Sequence, residues 1–143
     1  MIETLMLVDD EDLFHLVFED SCSLLDITLS LKSLKSSDEA AGLFKKWVDT
    51  PEHKPECMFV DLNIIGSSFD GIELIRKINF EYGDNVVIGI ISSSNEAEEQ
   101  AKAIQAGAQF WIIKSDDIEP RLEEFKKDYE GYKNKTAPFK VYR

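Results

Sequence analysis

CMFVDLN, residues 57–63, is an apolar run that ends abruptly at a carboxylate. A short run without polar residues predicts a β-strand that is buried on both faces, as the inner strands of parallel sheets are. Asp61 would then lie at the carboxyl end of that strand, where open α/β sheets bind their ligands. An aspartate after a strand also commonly forms a turn or caps a helix. The rest of the chain therefore decides whether Asp61 has a chemical role.

Length and charge narrow the class of protein. The chain has 143 residues, 43% of them hydrophobic, and a formal net charge of −12, which is typical of one acidic globular domain. Such an acidic surface repels phosphate backbones, so nucleic-acid binding is not expected. The first apolar run is too short for a signal peptide or a membrane span. Cys22 and Cys57 lack metal-ligand spacing, which predicts reduced thiols in a cytoplasmic protein.

The C-terminal residues 132–143 have the opposite charge, with four basic residues and no acidic one. We predict a domain over residues 1–132, followed by a basic tail over residues 133–143. This tail is either disordered or docked on the acidic body, within the chain or across a homodimer. An exposed docking contact of this kind should weaken as salt rises.

Strand-like and helix-like segments alternate along the chain. Apolar runs predict strands over residues 4–8, 27–31, 57–60, 86–91 and 110–113, each followed by a segment of helical spacing. Leu13, Leu16 and Leu24 have that spacing in the first helix, and Gly83 is predicted to end the third. Five such units predict an α/β fold: a doubly wound, five-stranded parallel sheet with helices on both faces. The alternating second strand is typical of an edge, which favours the flavodoxin-like order 2-1-3-4-5.

This strand order gathers polar residues at one rim of the sheet. Strands one and three would be neighbours, so that Asp9 and Asp10 lie beside Asp61, while Ser92 and Lys114 follow strands four and five. Three adjacent carboxylates repel one another and need a cation. Oxygen ligands of this kind suit Mg²⁺, and the metal, Lys114 and the Ser92 hydroxyl together would hold a phosphoryl group.

The chain resembles the receiver domain of two-component response regulators over roughly residues 4–132. The segments that carry the resemblance are LMLVDDED, FVDLN, DGIELIRKI, VIGIISSS and AGAQFWIIK. The resemblance implies that Asp61 is the phosphoacceptor and that the acidic pair holds Mg²⁺ with it. It also implies a backbone carbonyl ligand from Asn63. Ser92 stands at the switch hydroxyl position, Lys114 at the lysine position, and Trp111 where an aromatic side chain changes rotamer.

Two features depart from the family pattern. Ser115 follows Lys114 where the family usually has a proline after a cis peptide bond, so either a strained cis bond is kept or the loop has another shape. The loop over residues 64–69 is longer than usual and lacks the family's proline. It is either a mobile gate beside Asp61 or a tolerated surface insertion.

We therefore expect a stand-alone phosphoacceptor, not an enzyme, beyond self-catalysed phosphorylation and autodephosphorylation. A sensor histidine kinase or a histidine phosphotransfer protein would supply the phosphoryl group. A downstream protein target would bind the face formed by helix four, strand five and helix five. Two alternatives stay open: an aspartate-dependent phosphohydrolase that uses Asp10 as its nucleophile, and a pseudo-receiver that only binds proteins.

Overall fold

The fold is one parallel β-sheet with helices on both faces. The computed structural model describes residues 1–82 and 86–143, so Gly83 lies outside the described residues. The elements run in the order β1 (Ile2–Val8), α1 (Asp12–Leu24), β2 (Thr28–Leu34), α2 (Ser37–Asp49), β3 (Cys57–Asp61), α3 (Gly71–Tyr82), β4 (Val87–Ser92), α4 (Ala97–Ala106), β5 (Phe110–Ile113), α5 (Glu119–Lys133) and β6 (Lys140–Tyr142). No helix in the described part of the chain is long and apolar enough to cross a bilayer.

The strand order is β2-β1-β3-β4-β5-β6, with every neighbouring pair parallel. The α/β class, the flavodoxin-like arrangement and the edge position of β2 are confirmed. The predicted count of five strands is wrong, because β6 adds a sixth strand beside β5. Its apolar residues, Val141 and Tyr142, are flanked by Lys140 and Arg143, and the basic charge of the segment obscured this short strand pattern.

Alternate residues of the inner strands pack against the two helical layers. On β3, Met58 and Val60 belong to one apolar core, and Cys57 and Phe59 belong to the other. All four side chains are buried, which explains why the run is apolar at every position.

The buried face of α1 differs from the leucine pattern in the sequence. Leu13, Leu16 and Leu24 are exposed, whereas Phe14 and Phe18 are buried. Both sets have helical spacing, and the aromatic stripe faces the sheet because its rings fill more of the space there. The Phe18 ring, for example, meets the Phe59 ring edge-on, with centroids 5.2 Å apart.

Local sequence signals explain several helix ends. The Ser36 side chain accepts a hydrogen bond from the Glu39 N–H at 3.1 Å and caps α2, as the capping-box pattern predicts. Asp70 accepts from the Glu73 N–H at 2.8 Å and caps α3. Helix α4 ends at Gly107, whose positive φ of 109° is the left-handed conformation that favours glycine.

Candidate functional site

The predicted polar residues meet at the carboxyl ends of the strands. Asp9 and Asp10 follow β1, Asp61 ends β3, Ser92 ends β4, and Lys114 follows β5. Three of them, Asp9, Asp10 and Asp61, each offer a carboxylate oxygen within 4.8 Å of the others. The three carboxylates come together because β1 and β3 pair in register, Val8 beside Val60.

The carboxylates are unequally exposed. Asp9 is fully buried, Asp61 is 8% exposed, and Asp10 is half-buried. Burial raises the pKa of Asp61 to about 7, and the negative charges of Asp9 and Asp10 act in the same direction, whereas Lys114 opposes them. The site therefore holds more negative charge than its own residues neutralise.

Lys114 is the cation of this rim. Its Nζ lies 2.9 Å from Asp9 Oδ2, 3.0 Å from Glu11 Oε2 and 3.8 Å from Asp61 Oδ2. Burial acts to lower the pKa of Lys114, but the hydrogen bonds to Asp9 and Glu11 and the charge of Asp61 outweigh it, so the pKa is raised. The lysine stays charged, and it lies closer to Asp9 than to Asp61.

An open cleft of about 390 Å³ lies at this rim, and Asp9 is buried beside it. The cleft is lined by Asp10, Glu11, Asp61, Asn63, Ile65, Ser92, Ser93 and Lys114. The Asn63 backbone acts to lower the pKa of the Asp61 carboxyl, against the effect of burial. A cleft of this kind, with a carboxylate, a hydroxyl and an ammonium group facing one space, has the groups that phosphoryl transfer needs.

A divalent cation fits the donor set. Three carboxylates that converge within 4.8 Å, with Asp61 of raised pKa among them, offer hard oxygen ligands and uncompensated charge. Asp9, Asp10 and Asp61 are the residues that would hold such an ion.

Gly71 fixes the approach of α3 to this site. A Cβ at residue 71 would overlap the backbone carbonyl oxygen of Asp61, and the Gly71 N–H donates to the Leu62 carbonyl at 3.0 Å. Only glycine allows the start of α3 to lie so close to the end of β3.

Ser92 and Trp111 are joined through the chain that follows β4. The Ser92 Oγ accepts from the Ser94 N–H at 3.1 Å, and the Trp111 Nε1–H donates to the Ser94 carbonyl at 3.1 Å. The Trp111 side chain is fully buried in the core between the sheet and α2–α4. The indole therefore contacts the segment that begins at the predicted switch hydroxyl.

Sequence reasoning missed three residues of the site. Glu11 is paired with Lys114. The Phe14 ring lies under the Lys114 ammonium, 4.6 Å from Nζ to the ring centroid. His15 is buried, and its Nε2 donates to the Asp9 carbonyl at 2.6 Å. The available signal was the Phe14–Phe18 stripe, which turns this side of α1 towards the sheet.

Both departures from the family pattern have defined structures. The described residues contain no cis peptide bond, so Lys114–Ser115 is trans. The loop over residues 64–69 is hydrogen-bonded to the start of α2: Ser37 N–H donates to Ser67 Oγ at 3.0 Å, and Ser37 Oγ donates to the Phe69 carbonyl at 2.7 Å. A third bond runs from the Ser68 N–H to Asp38 Oδ2 at 3.0 Å.

Solved structures of response regulators have the same fold. The Mn²⁺-bound form of response regulator Rcp1 is 17% identical, with a TM-score of 0.71 over 89% of this chain and 94% of that one. The phosphorylated cyanobacterial phytochrome response regulator RcpA is 16% identical, with a TM-score of 0.72 over 96% and 97%. RcsB of Salmonella typhimurium is 14% identical, with a TM-score of 0.76 over 98% of this chain and 62% of that one.

A search of curated protein sequences finds no significant match. The family model described as the response regulator receiver domain, in contrast, matches residues 5–124, which include every residue of the rim described above. The chain therefore belongs to the family of response regulator receiver domains.

Proposed function

We propose that Asp61 is the phosphoacceptor of this receiver and that its phosphorylation depends on Mg²⁺. Receiver domains act in two-component signalling as phosphoacceptors and interact with histidine kinases or phosphotransfer proteins. The observation that carries the assignment to Asp61 is its position in the cleft. Its carboxylate shares one space with two further carboxylates, the Ser92 hydroxyl and the Lys114 ammonium.

In the proposed reaction, a carboxylate oxygen of Asp61 attacks the phosphorus of a phosphohistidine. A new O–P bond forms as the N–P bond breaks, so the product is an acyl phosphate on Asp61 and the histidine leaves with the N–P electron pair. Asp61 must be ionised to attack, and its pKa of about 7 leaves a large fraction protonated near neutral pH. A bound divalent cation would favour the ionised carboxylates and neutralise charge on the phosphoryl oxygens.

The surrounding side chains have distinct roles in this proposal. Asp9 and Asp10 hold the cation, with the Asn63 carbonyl as a further ligand. Lys114 moves from its contact with Asp9 towards the new phosphoryl group and neutralises one of its charges. The Ser92 hydroxyl donates to another phosphoryl oxygen. These groups belong to the receiver itself and none is consumed. Phosphorylation by small phosphoryl donors and later hydrolysis of the acyl phosphate are therefore self-catalysed.

Signalling follows from the Ser92 and Trp111 contacts. When the Ser92 hydroxyl turns towards a phosphoryl oxygen, its bond to the Ser94 N–H is disturbed, and Ser94 holds the Trp111 indole. This shifts an existing equilibrium of the face formed by α4, β5 and α5, to which a protein target binds. The buried thiols of Cys22 and Cys57 fit the predicted action in the cytoplasm.

The decisive experiment is phosphorylation by acetyl phosphate with and without Mg²⁺, followed by peptide mapping of the acyl phosphate. We expect a label on the peptide that contains Asp61, lost in Asp61→Asn and dependent on Mg²⁺. Asp10→Asn should label weakly and recover at high Mg²⁺, because the nucleophile is intact. A label on the Asp10 peptide would indicate the phosphohydrolase chemistry instead. A wild-type protein that never labels would indicate a module that only binds proteins.

A further inference from the structure

The C-terminal strand β6 lies on the edge of β5, next to the proposed aromatic switch. Its register places Lys140 beside Phe110, Val141 beside Trp111, and Tyr142 beside Ile112. Three residues of parallel pairing give little main-chain stabilisation, because a short edge strand makes few ladder hydrogen bonds. The side chains of β6 therefore determine how firmly it is held.

One set of contacts anchors β6 to α5. Tyr142 is buried, its hydroxyl donates to Asp128 Oδ2 at 2.7 Å, and it lies 2.8 Å from the Tyr132 hydroxyl. Lys140 Nζ lies 2.6 Å from Glu124 Oε1 and 3.1 Å from Asp128 Oδ2. The contact between the two tyrosine hydroxyls is buried and the bond to Asp128 is partly buried, whereas the lysine pairs are more exposed and weaker.

On the C-terminal side of β6, Arg143 reaches the segment that follows Ser92. Arg143 Nη2 donates to Asn95 Oδ1 at 3.3 Å, on the exposed surface. Asn95 directly follows Ser94, which accepts from the Trp111 indole and donates to Ser92 Oγ. A continuous set of contacts thus runs from the switch hydroxyl to Arg143, the residue that directly follows β6. Its exposed, long Arg143 bond is the weakest contact of the set.

We propose that β6 is a latch on β5 that phosphorylation of Asp61 loosens from its Arg143 end. This inference rests on the proposed function. Turning the Ser92 hydroxyl towards Asp61 frees the Ser94 N–H and draws residues 94–95 away from Arg143, while Trp111 loses its fixed partner beside Val141. The Tyr142 anchor keeps the segment attached to α5. Since β6 covers the β5 edge in the face that binds a target, loosening the strand changes that face.

Hydrogen exchange of the full-length chain tests the latch. We would load Asp61 with beryllofluoride and Mg²⁺, verify binding by fluorine NMR, and follow backbone amide exchange in the peptide over residues 134–143. We expect exchange in this peptide to become about fivefold faster, as for a modest coupling between two sites. Unchanged or slower exchange with beryllofluoride bound would overturn the latch alone. If beryllofluoride does not bind at all, the proposed function fails and the latch fails with it.

Reciprocity supplies a second test. If the phosphoryl mimic loosens β6, loosening β6 by mutation must strengthen binding of the mimic. Arg143→Met removes the bond to Asn95, which is the contact that the mimic is proposed to break, and we expect beryllofluoride to bind a few-fold more tightly. Lys133→Met is the matched control, since it removes a cation that pairs with Glu56, away from β6. Equal affinity in Arg143→Met and the control would contradict the coupling.

Discussion

Replacing Asp61 by asparagine should stabilise the metal-free protein, and the gain should grow with pH. The carboxyl has a folded-state pKa of about 7 and a reference value of 3.8, because it is buried beside two other carboxylates. Between pH 3.8 and pH 7 the folded chain binds more protons at this carboxyl than the unfolded chain does. The free energy of unfolding of the wild type is therefore highest below about pH 3.8 and falls as the pH rises through 7. Asparagine has the same shape and stays neutral throughout.

The size of the effect follows from the pKa shift. The rise of the pKa from 3.8 to about 7 corresponds to roughly 4 kcal/mol, and partial solvent access of the carboxylate reduces this to about 2 to 3 kcal/mol. About 2 kcal/mol of the difference between Asp61→Asn and wild type should develop between pH 5 and pH 8. Added Mg²⁺ should also stabilise Asp61→Asn less than it stabilises the wild type, because the variant has lost one charged ligand.

Urea unfolding of both proteins in a chelator, from pH 5 to pH 8.5, measures this difference. Asp20→Asn is the control: it removes an exposed carboxylate from the surface of α1, and its difference from wild type should not show this rise. A flat difference for Asp61→Asn across the range, or one that falls as the pH rises, would refute the electrostatic description of the site.

Two further predictions concern packing and the switch. Gly71→Ala should destabilise the protein by about 1 to 3 kcal/mol, because the added methyl overlaps the Asp61 carbonyl. Gly42→Ala, in open space on α2, should stabilise it slightly. Urea unfolding of both variants checks this difference, and equal effects would contradict it. In a Trp47→Phe background, beryllofluoride with Mg²⁺ should change the fluorescence of Trp111, whose indole is fixed by Ser94; an unchanged spectrum with the mimic bound would refute the switch.

The polar rim was predictable because parallel strands impose it. All strands of such a sheet point the same way, so residues that follow separate apolar runs meet at one edge without being close in sequence. Asp9, Asp61, Ser92 and Lys114 needed only the strand ends and the strand order to be grouped. Their individual contacts were not predictable, since the choice of Lys114 between Asp9 and Asp61 depends on side-chain conformations and on the nearby Glu11 carboxylate.

The sequence was misleading where two sets of apolar residues have the same helical spacing, and where a strand pattern is very short. On α1, the leucines and the aromatic residues both repeat at helical spacing, and only the shape of the sheet beneath selects Phe14 and Phe18. Strand β6 has three residues, too few for an alternation to be distinguished from a charged tail. Its stability comes from contacts with Asp128 and Tyr132, which only the folded chain brings to Tyr142.

The buried carboxylates of the site destabilise the fold, and the packing of the core beneath them offsets this destabilisation. Asp61 is buried with like charges, which destabilises the end of β3, yet that strand must stay in place for the carboxylates to converge. Two residues earlier, the Phe59 ring packs at 5.2 Å from Phe18 and at 5.0 Å from both Phe110 and Phe125. These edge-on contacts fix β3 to α1, β5 and α5 at once. The core on the side of α1 and α5 thus holds β3 in place beneath the carboxylates, whereas Trp111 belongs to the other core, on the side of α2, α3 and α4.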